Sequence, residues 1–335
     1  MRTGTFVHGR VDIARTIQPT PILQAHMQRR TFIQSGLALT GAVALSSPTL
    51  AQESKRPWIN PIGVSTYSFW QFRRDDFRPI EKCLELAADM GFDGVEILKV
   101  QFEEKDPANG QLQKIKQKAF KLGLDLMGYS THQSFVKPDE AERQSEVDKT
   151  IKQIEEAYQM GIPTMRINTG RWGTSGSFDE LMKNKGIEPT LKGYTDDQGF
   201  GWVIGAIEKL IPTAEKCGVT LGLENHWGLG RTAAGVKRIV DAIDSPWLQI
   251  TADTGNFLED QYTQLEAIAP QAVLMQAKTY FGGGSWYTLD IDYARVAKIM
   301  QDANYRGYVS LEFEGKAEIE DSVKKSLALL RQHFS

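Results

Sequence analysis

Four pairs of polar side chains, each spaced two residues apart, stand at the ends of apolar runs: Arg166 and Asn168 in "TMRINT", Glu224 and His226 in "LGLENH", Gln276 and Lys278 in "AVLMQAK", and Glu312 and Glu314 in "YVSLEFE". Side chains two apart on a β-strand share a face, so each pair presents itself as one unit. Glu96 in "GVEIL", His132 just past "LDLMGYS", and Asp253 and Asn256 in "ADTGNF" complete the set. A carboxylate in a protein interior is costly unless a cation or several donors compensate it. Three of them converging, Glu224, Asp253 and Glu312, call for a divalent metal ion. The other arrangement open to them is a structural network in which Arg166 and Lys278 neutralise two of the three.

These residues fall at the carboxyl ends of eight β-like runs, at 62–69, 94–98, 124–130, 164–169, 219–225, 248–253, 272–278 and 308–314. Helical patterns with apolar residues three and four apart separate them, among them "PIEKCLELAADMG", "QLQKIKQKAFKLG", "EVDKTIKQIEEAYQMG" and "AIEKLIPTAEKCG". Each of the four ends in glycine (Gly91, Gly123, Gly161, Gly218), the residue that most easily takes the left-handed conformation that stops a helix. Strand and helix alternating eight times over residues 52–335 predict an α/β protein, a single-domain (β/α)8 TIM barrel, whose active site lies at the carboxyl ends of its strands. An open doubly wound sheet would need a glycine-rich phosphate loop after its first strand, and "WQFRRDDF" stands there instead.

The 335 residues are 41% hydrophobic with a formal charge of −3, and they lack a dense Lys/Arg run, which argues against nucleic acid as a partner. The two cysteines, Cys83 and Cys217, sit far apart and outside any C-x-x-C pair, so they read as free thiols. The stretch "MQRRTFIQSGLALTGAVALSSPTLAQES" sets Arg29 and Arg30 before an Ala/Gly-rich apolar run and reads as a twin-arginine export signal cleaved after Ala51. Its apolar part, about 15 residues, is short of the roughly 20 a membrane span needs. Residues 1–51 are therefore set apart as an extension and signal, with translation starting at Met27. The expected location is periplasmic, with no membrane contact after cleavage.

Through "LGLENH", "ADTGNF", "MQAKTY", "GYVSLEFEG", "DGVEI" and "GVSTYSF", the chain resembles the xylose isomerase-like barrel superfamily, the sugar isomerase and epimerase group, over nearly all of 59–332. The resemblance implies one divalent metal, Mn²⁺ or Mg²⁺, held by Glu224, Asp253 and Glu312, with Gln276 where the group has histidine. Replacing imidazole by an amide leaves only oxygen ligands, which favours a hard cation. It also implies proton abstraction beside a carbonyl and a metal-stabilised enediolate, with Glu224 and Glu312 exchanging the proton and Lys278 holding a substrate oxygen. Expulsion of a group from the same enolate, as in a dehydratase or a 3-keto-glycoside eliminase, is the rival reaction. An exported sugar-binding protein without catalysis is the rival of another class.

Expected substrate contacts are His132, His226, Asn256, Glu96, Arg166 and Trp172. Trp70, Trp227 and Trp286 also follow strand ends, where an indole can stack on a sugar ring. Residues 170–200 form an insertion long enough to act as a lid. "FGGGS" at 281–285 lacks the ending of a nucleotide phosphate loop, so neither a nucleotide cofactor nor a phosphorylated sugar is expected. Pairing into a homo-oligomer is in keeping with the resemblance.

Overall fold

The computed structural model describes residues 58–102, 107 and 110–334. The export signal and the start at Met27 lie outside the described residues. Eight strands, β1 (Ile62–Ser65), β2 (Gly94–Leu98), β3 (Asp125–Ser130), β4 (Thr164–Ile167), β5 (Thr220–Glu224), β6 (Leu248–Asp253), β7 (Ala272–Thr279) and β8 (Val309–Phe313), run parallel and in sequence order around a closed barrel. β8 pairs back onto β1, with Val64 opposite Leu311.

Helices fill the connections. α1 (Tyr67–Trp70) and α2 (Ile80–Met90) follow β1, α3 (Gln111–Leu122) follows β2 and α4 (Glu140–Met160) follows β3. After β4 come α5 (Phe178–Lys183), α6 (Asp196–Glu208) and α7 (Ile211–Cys217). α8 (Ala233–Ile243), α9 (Gln261–Ile268), α10 (Tyr293–Asp302) and α11 (Ile319–Phe334) follow β5 to β8 in turn. Among the described residues no helix is long and apolar enough to cross a membrane.

The period of two divides each strand between two environments. Val95, Ile97, Leu221, Leu223, Ile250 and Leu311 are fully buried in the apolar layer between sheet and helices. Their neighbours Glu96, Ser310, Glu312, Glu224, Asp253 and Gln276 face the other way, into the barrel, where polar groups replace the usual branched apolar filling. Gly222 lets β5 and β6 close up below Glu224, since a Cβ there would stand 2.2 Å from Thr251 Oγ1.

The four helix-ending glycines behave as the sequence predicts: Gly91, Gly123, Gly161 and Gly218 have φ between 66° and 85°. Each returns its N–H to carbonyls of the last turn of its helix. Two expectations are corrected. The first strand ends at Ser65 rather than Phe69, because Thr66 N donates to Glu96 O (2.9 Å) and Ser68 Oγ donates to Leu311 O (3.0 Å), bending the chain into α1 across the barrel seam. The single helix expected over "AIEKLIPTAEKC" is broken between α6 and α7, because Pro212 has no N–H to give and its ring crowds the carbonyl four residues back.

Candidate active site

The carboxyl ends of the strands surround a cavity of about 350 Å³ whose floor is charged. Glu224 ends β5, and its Oε2 lies 3.0 Å from Arg166 Nε on β4. Its other oxygen accepts from Asn256 Nδ2 at 3.1 Å, and Asn256 in turn accepts from Tyr287 Oη at 3.4 Å. Asp253 ends β6 and is fully buried; its Oδ1 accepts the backbone N–H groups of Gly255 (2.7 Å) and Asn256 (2.9 Å). Lys278 Nζ stands among three carboxylates, 2.5 Å from Glu314, 3.4 Å from Glu312 and 3.6 Å from Asp253. The β7 to β8 register sets Lys278 directly opposite Glu312.

Five carboxylates (Glu96, Glu224, Asp253, Glu312, Glu314) therefore share two cations, Arg166 and Lys278. The electrostatics follow from that excess and from burial. Burial raises Glu224 to about 7 against the opposing pull of Arg166, and burial raises Glu96 and Asp253 as well. Burial alone would lower Lys278, yet Asp253 and Glu314 outweigh it and hold the ammonium well above its ordinary value, so it stays charged. His132 is pushed down to about 3 by burial and by Arg166, and His226 well below its usual range for the same reasons. Both rings are neutral at neutral pH. His132 is exposed on the cavity wall.

Three oxygens of this floor are buried without a hydrogen-bond partner: Glu224 Oε2, Asp253 Oδ2 and Gln276 Oε1. Arg166 is close to the first as a charge but does not aim an N–H at it. They belong to consecutive strands, and Asp253 pairs directly with Gln276 in the ladder. Buried acceptors without donors are rare, because the lost hydration is not replaced. Their grouping suits an oxygen-seeking cation, although among the described residues no three His, Cys, Asp or Glu side chains form a metal-binding cluster by themselves. Gln276 is what adds the third atom.

His132, Arg166, Glu224, His226, Asn256, Lys278 and Glu312 all line the cavity, and Asp253 and Gln276 lie buried just beneath it. Two expected substrate contacts are corrected. Glu96 is wholly buried inside the barrel, off the cavity, where Ser130 and Ser310 donate to it, because β2 sets it one layer deeper than the strand ends. Trp172 turns away: its indole N–H donates to Asp196 (2.9 Å) and its ring packs edge-on against Trp202, in a second cavity of about 380 Å³ beside α8. Two charged groups of that second cavity are paired with residues outside its lining, Glu188 with Arg171 and Arg238 with Asp197.

Of the other tryptophans, Trp227 and Trp286 line the cavity at the strand ends, whereas Trp70 is buried outside it. Tyr67, Phe72, Phe178 and Tyr287, to which the sequence pattern assigns no role, also line it. Tyr67 was hidden by the overlong first strand, and Phe178 and Tyr287 by loops whose paths periodicity does not encode.

Residues 84–333 match the family model described as xylose isomerase-like TIM barrel. Among solved structures, the chain is similar to 3-keto-D-glucoside 4-epimerase from E. coli (18% identity, 82% of this chain and 99% of the other, TM-score 0.64). It is similar to D-psicose 3-epimerase from Clostridium cellulolyticum H10 (16% identity, 82% and 99%, TM-score 0.64). It is also similar to D-allulose 3-epimerase from Methylomonas sp. (15% identity, 83% and 99%, TM-score 0.63). At such identities the likeness is one of fold. No curated protein matches the chain.

Proposed function

The chain belongs to the xylose isomerase-like TIM barrel family, and from that premise we propose that it is a sugar isomerase or epimerase working with one divalent cation. The observation that carries the reading is the set of three buried oxygens on β5, β6 and β7 that accept no hydrogen bond, beneath a cavity with a carboxylate-rich floor. Glu224, Asp253, Gln276 and Glu312 would hold the ion, and an all-oxygen set favours Mn²⁺ or Mg²⁺ over Zn²⁺. Bound there, the ion supplies stabilisation of negative charge on a carbonyl oxygen.

The chain's own groups do the rest. Glu224 and Glu312 come from strands separated by two others, so they flank a sugar lying on the floor, one removing the proton beside a carbonyl and the other returning it. Lys278 fixes a sugar oxygen as a permanent cation. Neutral His132 and His226 orient hydroxyls. Asn256, braced by Tyr287, fixes the Glu224 carboxylate. Proteins of the same fold that epimerise keto sugars support this substrate class. Elimination from the same carbanion has its own support in Tyr67, a phenol on the cavity wall that burial keeps protonated and able to donate to a departing oxygen.

The test uses the purified protein with metal analysis and product identification on ketohexoses and on 3-keto-glycosides. Activity is expected to vanish with chelation and return with Mn²⁺ or Mg²⁺, and reprotonated sugar separates epimerisation from an unsaturated eliminated product. Glu224→Gln and Glu312→Gln are each expected to lower turnover about 10²–10⁴-fold. Near-normal turnover in either, with metal bound, removes that residue from the proton transfer. A protein that binds no divalent cation sinks the reading.

A further inference from the structure

We propose that Glu96 is a positioning residue that selects which end of the Gln276 amide faces the cation position; the inference rests on the cation reading above. The two ends of a glutamine amide are nearly equal in shape, so its hydrogen bonds decide its orientation. Gln276 Nε2 donates to Glu96 Oε1 at 2.9 Å and to Glu312 Oε1 at 3.2 Å. Both amide hydrogens are thereby committed to carboxylates, and Oε1 is left buried without a donor. Ser130 Oγ also donates to Glu96 Oε1, and Ser310 Oγ donates to Oε2 at 2.6 Å, so Glu96 is fixed as an acceptor by side chains of β3 and β8.

Turning the amide over would set its carbonyl oxygen against two carboxylate oxygens. It would also swing an NH₂ group, which cannot ligate a metal, to the place Oε1 now holds. A proton on Glu96 would sit between Oε2 and Ser310, whose hydroxyl can reverse its role, and would leave Oε1 an acceptor. Glu96 thus gives an ambivalent side chain the single polarity a cation needs, from a layer where no substrate reaches it.

The experiment titrates Mn²⁺ into chelator-stripped protein by calorimetry for wild type, Glu96→Gln, Gln276→Glu and the double variant, with thermal melts of each. In the Gln276 background, Glu96→Gln offers an amide that tolerates either orientation, and affinity for Mn²⁺ is expected to fall about 10–100-fold. In the Gln276→Glu background both terminal atoms are oxygens, orientation ceases to matter, and the same substitution is expected to change affinity by no more than about twofold, the limit for independent sites.

An equal loss in both backgrounds, or none in either, overturns the proposal while leaving the cation reading intact. A wild type that takes up no divalent ion overturns both. If Glu96→Gln does not fold, Glu96→Asp, which keeps the charge and withdraws the acceptor, is read in the same cycle.

Discussion

The floor and the rim of the strand-end cavity are made of opposite materials. The floor is carried by strands, and Glu224, Asp253, Gln276 and Lys278 are tied by hydrogen bonds or ion pairs to Arg166, Lys278, Glu96 and Glu312, respectively, each on another strand. The rim is carried by loops and is aromatic. Phe72 is 55% exposed and Trp286 49% exposed, while Phe178 packs edge-on to Trp286 at 4.8 Å. Gln71 and Phe72 are consecutive non-glycine residues with φ of 50° and 56°, a conformation L side chains seldom adopt. Gln71 is held in it by a hydrogen bond from its amide to Phe313 O at 2.6 Å. Rigid strands thus fix the chemistry, and loops present the adaptable contact surface, the usual division of labour in this architecture.

If the floor is an interlocked charge network, removing its central cation should have the largest effect. Lys278→Met leaves Asp253, Glu312 and Glu314 facing one another, and breaking a buried pair from one side costs about 3–5 kcal/mol. In a domain of this size that corresponds to a melting temperature lower by roughly 10 °C. Added Mn²⁺ should restore part of the loss by replacing the missing charge. A melting temperature equal to wild type in metal-free buffer would mean that the acids are balanced elsewhere.

The rim should respond the other way round. Phe72→Ala and Trp286→Ala remove exposed rings and should leave stability within about 0.5 kcal/mol. An aromatic contact contributes about 0.5–1.5 kcal/mol beyond its buried area, so each variant should raise KM about 2–10-fold with kcat nearly unchanged. A fall in kcat at constant KM would erase the distinction between floor and rim.

The same division governs what could be read in advance. The barrel and its floor were legible because both follow from the period of two: once the strands are placed, Gln276 and Lys278, or Glu224 and His226, must share a face. The glycines after α2, α3, α4 and α7 announced where each helix stops. The depth of a residue along its strand was less legible, and Glu96 was misplaced for that reason: its face was right and its layer was wrong. The rim was hardest, since Phe72 depends on two left-handed residues and Trp172 on a turn toward Asp196 within an insertion. Those outcomes are set by contacts distant in sequence.

The smallest expected effect tests the boundary between the two regions, at His132. Desolvation by the surrounding protein, reinforced by Arg166 and by Lys149, holds its pKa down to about 3, against about 6.5 for an imidazole in water. Lys149 also donates to the His132 carbonyl from α4. Between pH 6.5 and 3 the unfolded chain binds a proton that the folded chain refuses, and stability contributed by the neutral ring is lost as pH falls through that window. The buried carboxylates Glu96, Glu224 and Asp253, whose values are raised, push in the opposite direction, because the folded chain protonates them first. The wild-type profile alone therefore mixes two signs, and a paired comparison separates them. His132→Asn should melt close to wild type at pH 7.5 and gain on it progressively toward pH 4. A difference that stays flat across that range would place His132 in ordinary solvent, as part of the rim and not of the floor.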